Sequence, residues 1–235
     1  MPPPIFTHLD GRIPIARHEH VAVLYRSRPR AFRLASFLGE GLQQGDLCLY
    51  LAPASFHAEM LERLRRQAPD VDGHLQSGTL RLHEGFPEFS DLRAWTQQIF
   101  DEAEGRRTPA VRWLEEGIWP QSVGFPLPNF YEFHALLNYQ VKHYPSVALC
   151  QYDLEQIEPR ALFCAIAVHR HLLVEGTLVR DNPFYIPAEK FIPLSPEDRE
   201  RDVLQLYRDV GFDVEKLLAA ITGYGRLQQP PPGGA

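Results

Sequence analysis

Apolar positions along this chain follow two alternating spacings. Short continuous apolar runs are each followed by a stretch in which apolar residues recur every third or fourth position. The clearest run is Val147-Ala148-Leu149-Cys150, which ends in Gln151-Tyr152-Asp153. A strand covered by helices on both faces loses its polar alternation and reads as such a run. Side chains just beyond the C-terminal end of such a strand face a crevice. Gln151, Tyr152 and Asp153 are therefore expected at a rim, with Cys150 just inside.

Four earlier runs resemble it: His20–Tyr25, Leu47–Leu51, Thr79–His83 and Ala110–Leu114. Between them the helical spacing is carried by Phe32, Ala35, Leu38 and Leu42, then by Met60, Leu61 and Leu64, and then by Leu92, Trp95, Ile99 and Phe100. A further helix is predicted over residues 129–143 after the Pro120–Pro128 loop, and another from Pro159. His171–Val174 and Thr177–Val179 flank Glu175-Gly176 and read as a hairpin. The pattern predicts a three-layer α/β fold, mostly parallel, with a C-terminal antiparallel hairpin edge and a short helical appendage. The divisions are an irregular lead-in over 1–19, a main domain over 20–192, the appendage over 193–225 and a disordered tail over 226–235. In the appendage, Ser195-Pro196-Glu197-Asp198 reads as a helix start, and a second short helix is expected from Asp213 to Ile221.

Composition narrows the function classes. Hydrophobic content of 44% and charged content of 23% are those of an ordinary globular chain. A net charge of −6 supplies no basic footprint, so nucleic acid is not an expected partner. No apolar run approaches the ~20 residues that span a bilayer, and no secretory signal is read at the start. Three cysteines, Cys48, Cys150 and Cys164, each lie in an apolar run. They read as small buried hydrophobes in a cytoplasmic protein rather than as a disulfide framework.

Candidate chemistry is mostly missing. The turn after the first long strand reads Tyr25-Arg26-Ser27-Arg28-Pro29-Arg30, without the Gly-rich loop that cradles phosphates. Its arginines read as solvated. Glu115 and Glu116 end the fourth run. One is expected to be solvated and the other to pair with Arg112 or a neighbouring strand, with Glu116 in a ligand pocket or structural network rather than acting as an acid or base. His18 with His20 and His169 with His171 are spaced to share a strand face, yet without H-E-x-x-H or C-x-x-C they read as structural. No nucleophile elbow is present. No catalytic residue, metal site or cofactor is predicted. Aromatic residues near the strand ends, among them Tyr25, Trp119, Tyr131 and Tyr152, instead suit an apolar cleft with a few fixed polar groups.

The chain also resembles a known family. His20 with Leu24-Tyr25 matches its first strand; Phe37-Leu38-Gly39-Glu40-Gly41-Leu42 with Gly45-Asp46, and Leu49-Tyr50-Leu51, match its next helix and strand. Further matches are Arg112 with Glu116 and Trp119, Tyr131-Glu132 with Asn138, Cys150-Gln151-Tyr152-Asp153, His169, Gly176 and Asn182-Pro183-Phe184-Tyr185-Ile186-Pro187. In order and spacing these resemble the MEDS domain, a methanogen/methylotroph sensory domain named for a dichloromethane-responsive regulator. The resemblance covers about residues 15–192. It implies a RecA/KaiC-like core without a phosphate loop, and the sensing of small hydrocarbon derivatives in signal transduction.

The expected function is non-catalytic sensing. A small-molecule ligand would be bound by His20, Tyr25, Glu116, Trp119, Tyr152, Asp153 and His169, with relay to a regulator or kinase partner and pairing as a homodimer. The alternatives are a degenerate nucleotide-binding protein or ATPase, and a ligand-free protein-interaction adaptor.

Overall fold

A computed structural model describes residues 5–174, 176–217 and 219. Nine strands are described: β1 (Ile5–Leu9), β2 (Ile13–Ala16), β3 (His20–Tyr25), β4 (Leu47–Leu51), β5 (Leu80–His83), β6 (Val111–Glu116), β7 (Ser146–Asp153), β8 (His171–Val174) and β9 (Thr177–Val179). The helices are α1 (Arg28–Ala31), α2 (Ala35–Gln44), α3 (Ala54–Arg65), α4 (Val71–Ser77), α5 (Phe89–Arg106), α6 (Trp119–Val123), α7 (Leu127–His143), α8 (Pro159–Val168), α9 (Ala188–Phe191) and α10 (Arg199–Asp209).

Seven strands form one sheet in the order β5-β4-β6-β7-β3-β8-β9, parallel throughout except for the final β8–β9 pair. The mixed α/β expectation with a mostly parallel sheet is met. β7 lies at the centre and is buried along its whole length. One apolar core, with Trp113, Phe130, Phe133 and Phe163, fills the face under α5, α7 and α8. The other, with Phe37, Leu38, Met60 and Leu64, fills the face under α2 and α3. The rim expected at Gln151–Asp153 is covered, since all three residues are buried.

Residues 5–16 of the lead-in are not irregular. β1 and β2 pair antiparallel around Asp10-Gly11, whose φ values of 48° and 67° turn the chain tightly. An Asp-Gly between alternating residues is a hairpin signal, obscured here by Pro14 inside the second strand. The Pro-rich loop before α7 holds the single-turn helix α6, and a further short helix, α4, precedes β5. Helix α10 begins at Arg199, three residues beyond Pro196, and buries Val203, Leu204 and Tyr207. The short helix expected to reach Ile221 ends outside the described residues, and the tail 226–235 lies wholly outside them.

One ion pair fixes the hairpin and α2 to the sheet. Arg112 projects from β6 with no exposed surface and bonds Asp46 at 2.7 Å, the Phe37 carbonyl at 2.9 Å and Gln44 Oε1 at 2.9 Å. Its guanidinium also lies 4.6 Å from the Phe6 ring of β1. Neither Glu115 nor Glu116 pairs with it, and neither is solvated; both carboxylates are fully buried elsewhere. Gly41 is required by this pair, because a Cβ there would sit 2.4 Å from Arg112 Cδ. Removing one partner of a buried pair strands the other, at about 3–5 kcal/mol. Arg112→Met is therefore expected to destabilise by about that amount, with Asp46→Asn in the same chain restoring part of the loss. Urea unfolding of the single and double variants checks this; equal stability of Arg112→Met and wild type would refute it.

Candidate functional site

Residues along a strand alternate between the two faces of its sheet. Glu115 therefore enters the face under α7, and Glu116 the face under α2. On β7, Cys150 and Tyr152 follow Glu115, whereas Gln151 and Asp153 follow Glu116; on β3, His20 and Tyr25 divide in the same way. Two polar clusters result, back to back across the middle of the sheet.

The first cluster is sealed. His20, His134, Cys150 and His169 each present a ligand-capable atom within 4.8 Å of those of the other three, and all four residues are buried. They come from β3, α7, β7 and the residue that ends α8. Asn138 stands one turn after His134 on the same face of α7. Its amide nitrogen donates to the His134 carbonyl at 3.0 Å and the Val168 carbonyl at 2.9 Å. Its Oδ1 is thus the acceptor facing His20 Nδ1 at 3.2 Å. That contact makes His20 Nδ1 the N–H and leaves a lone pair on Nε2, 3.3 Å from Cys150 Sγ. His169 Nδ1 likewise donates to the Ala165 carbonyl at 2.6 Å, so its Nε2 carries a lone pair, and it has no hydrogen-bond partner.

Glu115 borders the same cluster. Its carboxylate accepts from Trp113 Nε1 at 2.8 Å and Trp119 Nε1 at 2.6 Å. Oε1 also lies 3.5 Å from His134 Nε2, which is buried without a hydrogen bond. His134 Nδ1 is 3.7 Å from Cys150 Sγ. Burial, and then the neighbouring histidines, hold His20 and His169 well below the usual imidazole range. Both rings are neutral at neutral pH. Burial pushes the Cys150 thiol well up, and Glu115 adds to the effect.

On the opposite face, Tyr25 donates to Glu116 Oε2 at 2.9 Å and Gln151 Nε2 donates to Glu116 Oε1. Burial drives the Glu116 carboxyl well above its ordinary range; the Tyr25 hydrogen bond opposes that shift, and Asp153 and Glu115 reinforce it. Tyr25 and Gln151 also line a cleft of about 470 Å³ between the β1–β2 hairpin and the C-terminal end of β3. Leu9, Ile13, Val23, Leu34 and Leu173 supply its apolar wall, and Arg12, Arg30 and Arg33 bring basic groups to it.

The seven residues expected around one pocket are thus placed on two faces. His20, His169, Trp119 and Tyr152 lie on the α7 side; Tyr25, Glu116 and Asp153 lie on the α2 side. Of these, Tyr25 alone touches the 470 Å³ cleft. Asp153 is engaged by the loop that follows it, accepting from the Glu155 amide at 3.0 Å and from Gln156 Nε2 at 2.7 Å. His18 turns aside to the Val141 carbonyl and His171 to the Asp181 amide, so neither spaced pair acts as a pair. His134 and Glu115 were missed as site residues, although His134 and Asn138, four apart in a helical stretch, had to share a face.

The family model for the methanogen/methylotroph DcmR sensory domain, MEDS, matches residues 19–170. The transcriptional repressor DcmR of Methylorubrum extorquens is 26% identical over 157 residues, which is 66% of this chain and 59% of the repressor. The chain therefore matches less than two thirds of that relative's length. Both clusters fall mainly inside the matched region, while the hairpin that walls the cleft precedes it.

Glu116 generates a signed pH prediction. A carboxyl whose pKa is raised on folding keeps its proton in the native state after the unfolded chain has lost it. Stability is then highest below the unfolded value near 4.5 and falls as pH rises toward the folded one, by about 1.4 kcal/mol per pH unit for this group. Glu116→Gln is expected to flatten that part of the slope and to gain stability relative to wild type with rising pH. Denaturant midpoints measured across the range test it, and parallel profiles for the two proteins would contradict it.

Proposed function

The chain belongs to the MEDS family of sensory domains, and on that premise we propose that it is a non-catalytic sensory module that binds a small hydrocarbon derivative and relays occupancy to a partner regulator. The observation that carries this reading is the 470 Å³ cleft at the C-terminal end of β3. Its volume lies in the range of small-molecule sites, and its apolar wall with a few polar groups matches their usual composition. The apolar wall would take the ligand's carbon body. Arg12 and Arg33 would face an electronegative or acidic end, and Tyr25 and Gln151 would fix its orientation. Glu116 holds those two side chains from behind.

The relay follows from the same geometry. The hairpin forms one wall of the cleft and is tied to the sheet by Arg112 against Phe6 and to α2 by the hydrogen bond from Thr7 to Glu40. A ligand under the hairpin would change how it sits on α2, and a partner would read that change. The sensory unit in this reading is residues 20–192 together with the β1–β2 hairpin that walls the cleft, with its paired copy and a regulator or kinase as partners. His20, Trp119, Tyr152 and His169 support the strands from the other face.

The reading takes the sheet as a RecA/KaiC-like core whose phosphate loop is replaced by the turn from Arg26 to Arg30. Residual nucleotide binding is the second reading, favoured by Arg12, Arg30 and Arg33 around the cleft.

Native mass spectrometry of the chain isolated from its host is expected to show a co-purifying small molecule. Arg33→Ala removes a charge-assisted contact of about 1.5–3 kcal/mol, which corresponds to a roughly ten- to 150-fold loss of affinity. Arg33 is exposed, so the fold should be unaffected. No bound molecule, together with no thermal stabilisation by short-chain acids or haloalkanes, would contradict the proposal. Stabilisation by magnesium–ATP instead would favour the second reading.

A further inference from the structure

We propose that His20, His134, Cys150 and His169 form a metal centre for a divalent first-row transition ion, with zinc the best match to the donor set. The proposal does not rest on small-molecule sensing, because the cleft lies on the other face of the sheet. Three imidazoles and a thiolate are a donor set that zinc takes up in tetrahedral sites. Such a site places neighbouring donor atoms about 3.3–3.7 Å apart, given bonds of about 2.0–2.3 Å. His20 Nε2 and His134 Nδ1 lie 3.3 Å and 3.7 Å from Cys150 Sγ. All four donors already lie within 4.8 Å of one another, so only a modest contraction is needed.

Hydrogen-bond bookkeeping argues against a self-satisfied polar cluster. The outward nitrogens of His20 and His169 are fixed as N–H donors by Asn138 Oδ1 and the Ala165 carbonyl. Their inward nitrogens are therefore acceptors. The Cys150 thiol can answer one of them, and it lies 3.3 Å from His20 Nε2, which leaves His169 Nε2 without a partner. His169 Nε2 is buried without a hydrogen bond, whereas His134 Nε2 faces Glu115 Oε1 at 3.5 Å and leaves Nδ1 as the inward nitrogen. An unanswered buried polar atom is costly, and native proteins rarely leave one. A cation at the centre accepts every inward lone pair at once, and the Cys150 proton leaves as the Sγ–metal bond forms.

The surroundings are those of a metal site. Histidine ligands characteristically donate their second N–H to a carbonyl or carboxylate, which sets the tautomer. Asn138, the Ala165 carbonyl and Glu115 occupy those positions. Glu115, held by the two indole N–H groups, also supplies negative charge beside the ion. Trp113, Trp119 and Phe130 exclude water. The Tyr152 ring packs at a steep angle against His169 and closes the cluster on that side. The ion would clamp β3, β7, α7 and the end of α8 at one point.

The test uses the full chain, stripped with a chelator under reducing conditions and titrated with cobalt(II), then zinc(II). Expected are one equivalent of cobalt per chain, the visible absorption of a tetrahedral complex and a thiolate-to-cobalt charge-transfer band. Zinc should displace the cobalt and raise the melting temperature. Cys150→Ser should abolish the charge-transfer band, while Cys164→Ser, which alters another buried cysteine, should keep it. Asn138→Ala, which frees the His20 ring, should weaken binding about 10–100-fold. Wild-type protein that takes up no stoichiometric cobalt, or an octahedral spectrum without the thiolate band, would overturn the proposal. So would a thiolate band that survives Cys150→Ser. Because the decisive readings are made on wild type, a variant that fails to fold does not rescue the idea.

Discussion

A sheet buried on both faces leaves no polar side chain in contact with bulk water, and its central strands carry many. Each such group must find a partner inside the protein or pay for its desolvation. Arg112 is answered by Asp46 and the backbone of α2, Glu116 by Tyr25 and Gln151, and Glu115 by two indoles. These pairings decide which helices sit on which face and how closely. They also explain why Gly41 lies against Arg112, where a Cβ would come within 2.4 Å of a side-chain carbon. Tyr50, Tyr152, His134 and His169 are among the buried groups left with a polar atom unanswered, and what sets the histidine cluster apart is that three imidazoles and a thiol converge there.

The same constraint gives the sheet two chemically distinct faces. Consecutive residues diverge, so Glu115 and Glu116 serve different clusters although they are adjacent in the chain. The α2 face opens beneath the hairpin into a cleft large enough for a small molecule. The α7 face is closed by aromatic rings and gathers nitrogen and sulfur donors. Signal perception and structural clamping can thus be separated within one layer of strands. β3 carries residues for both, His20 at its start and Tyr25 at its end. Both faces thus draw on one strand that is hydrogen-bonded on both sides.

The strand cores were legible in the sequence because burial on both faces leaves continuous apolar runs, and the long helices because their apolar spacing is regular. The β1–β2 hairpin was not, since Pro14 and scattered polar residues masked a valid Asp-Gly turn. The burial of Cys150 and the prominence of His20 and His169 could be read from their apolar settings and the family pattern. Their convergence could not, because it depends on helix placement across a chain separation of more than a hundred residues. His18 and His171, read as structural, stay out of the cluster. Each lies two residues from a cluster member, yet backbone geometry (φ 67° at His18) and the break between α8 and β8 turn them elsewhere. The seven expected site residues were all buried near the sheet centre, but alternation assigned them to different faces.

Internal partners fix the protonation and direction of His20 and His169. Long-range nitrogen–proton correlation NMR of the imidazole rings, followed with pH, tests this. His20 and His169 are expected to appear as neutral rings protonated at Nδ1, and to resist protonation well below the ordinary imidazole range near 6.5. Rings protonated at Nε2, or titrating as free histidine does, would contradict it.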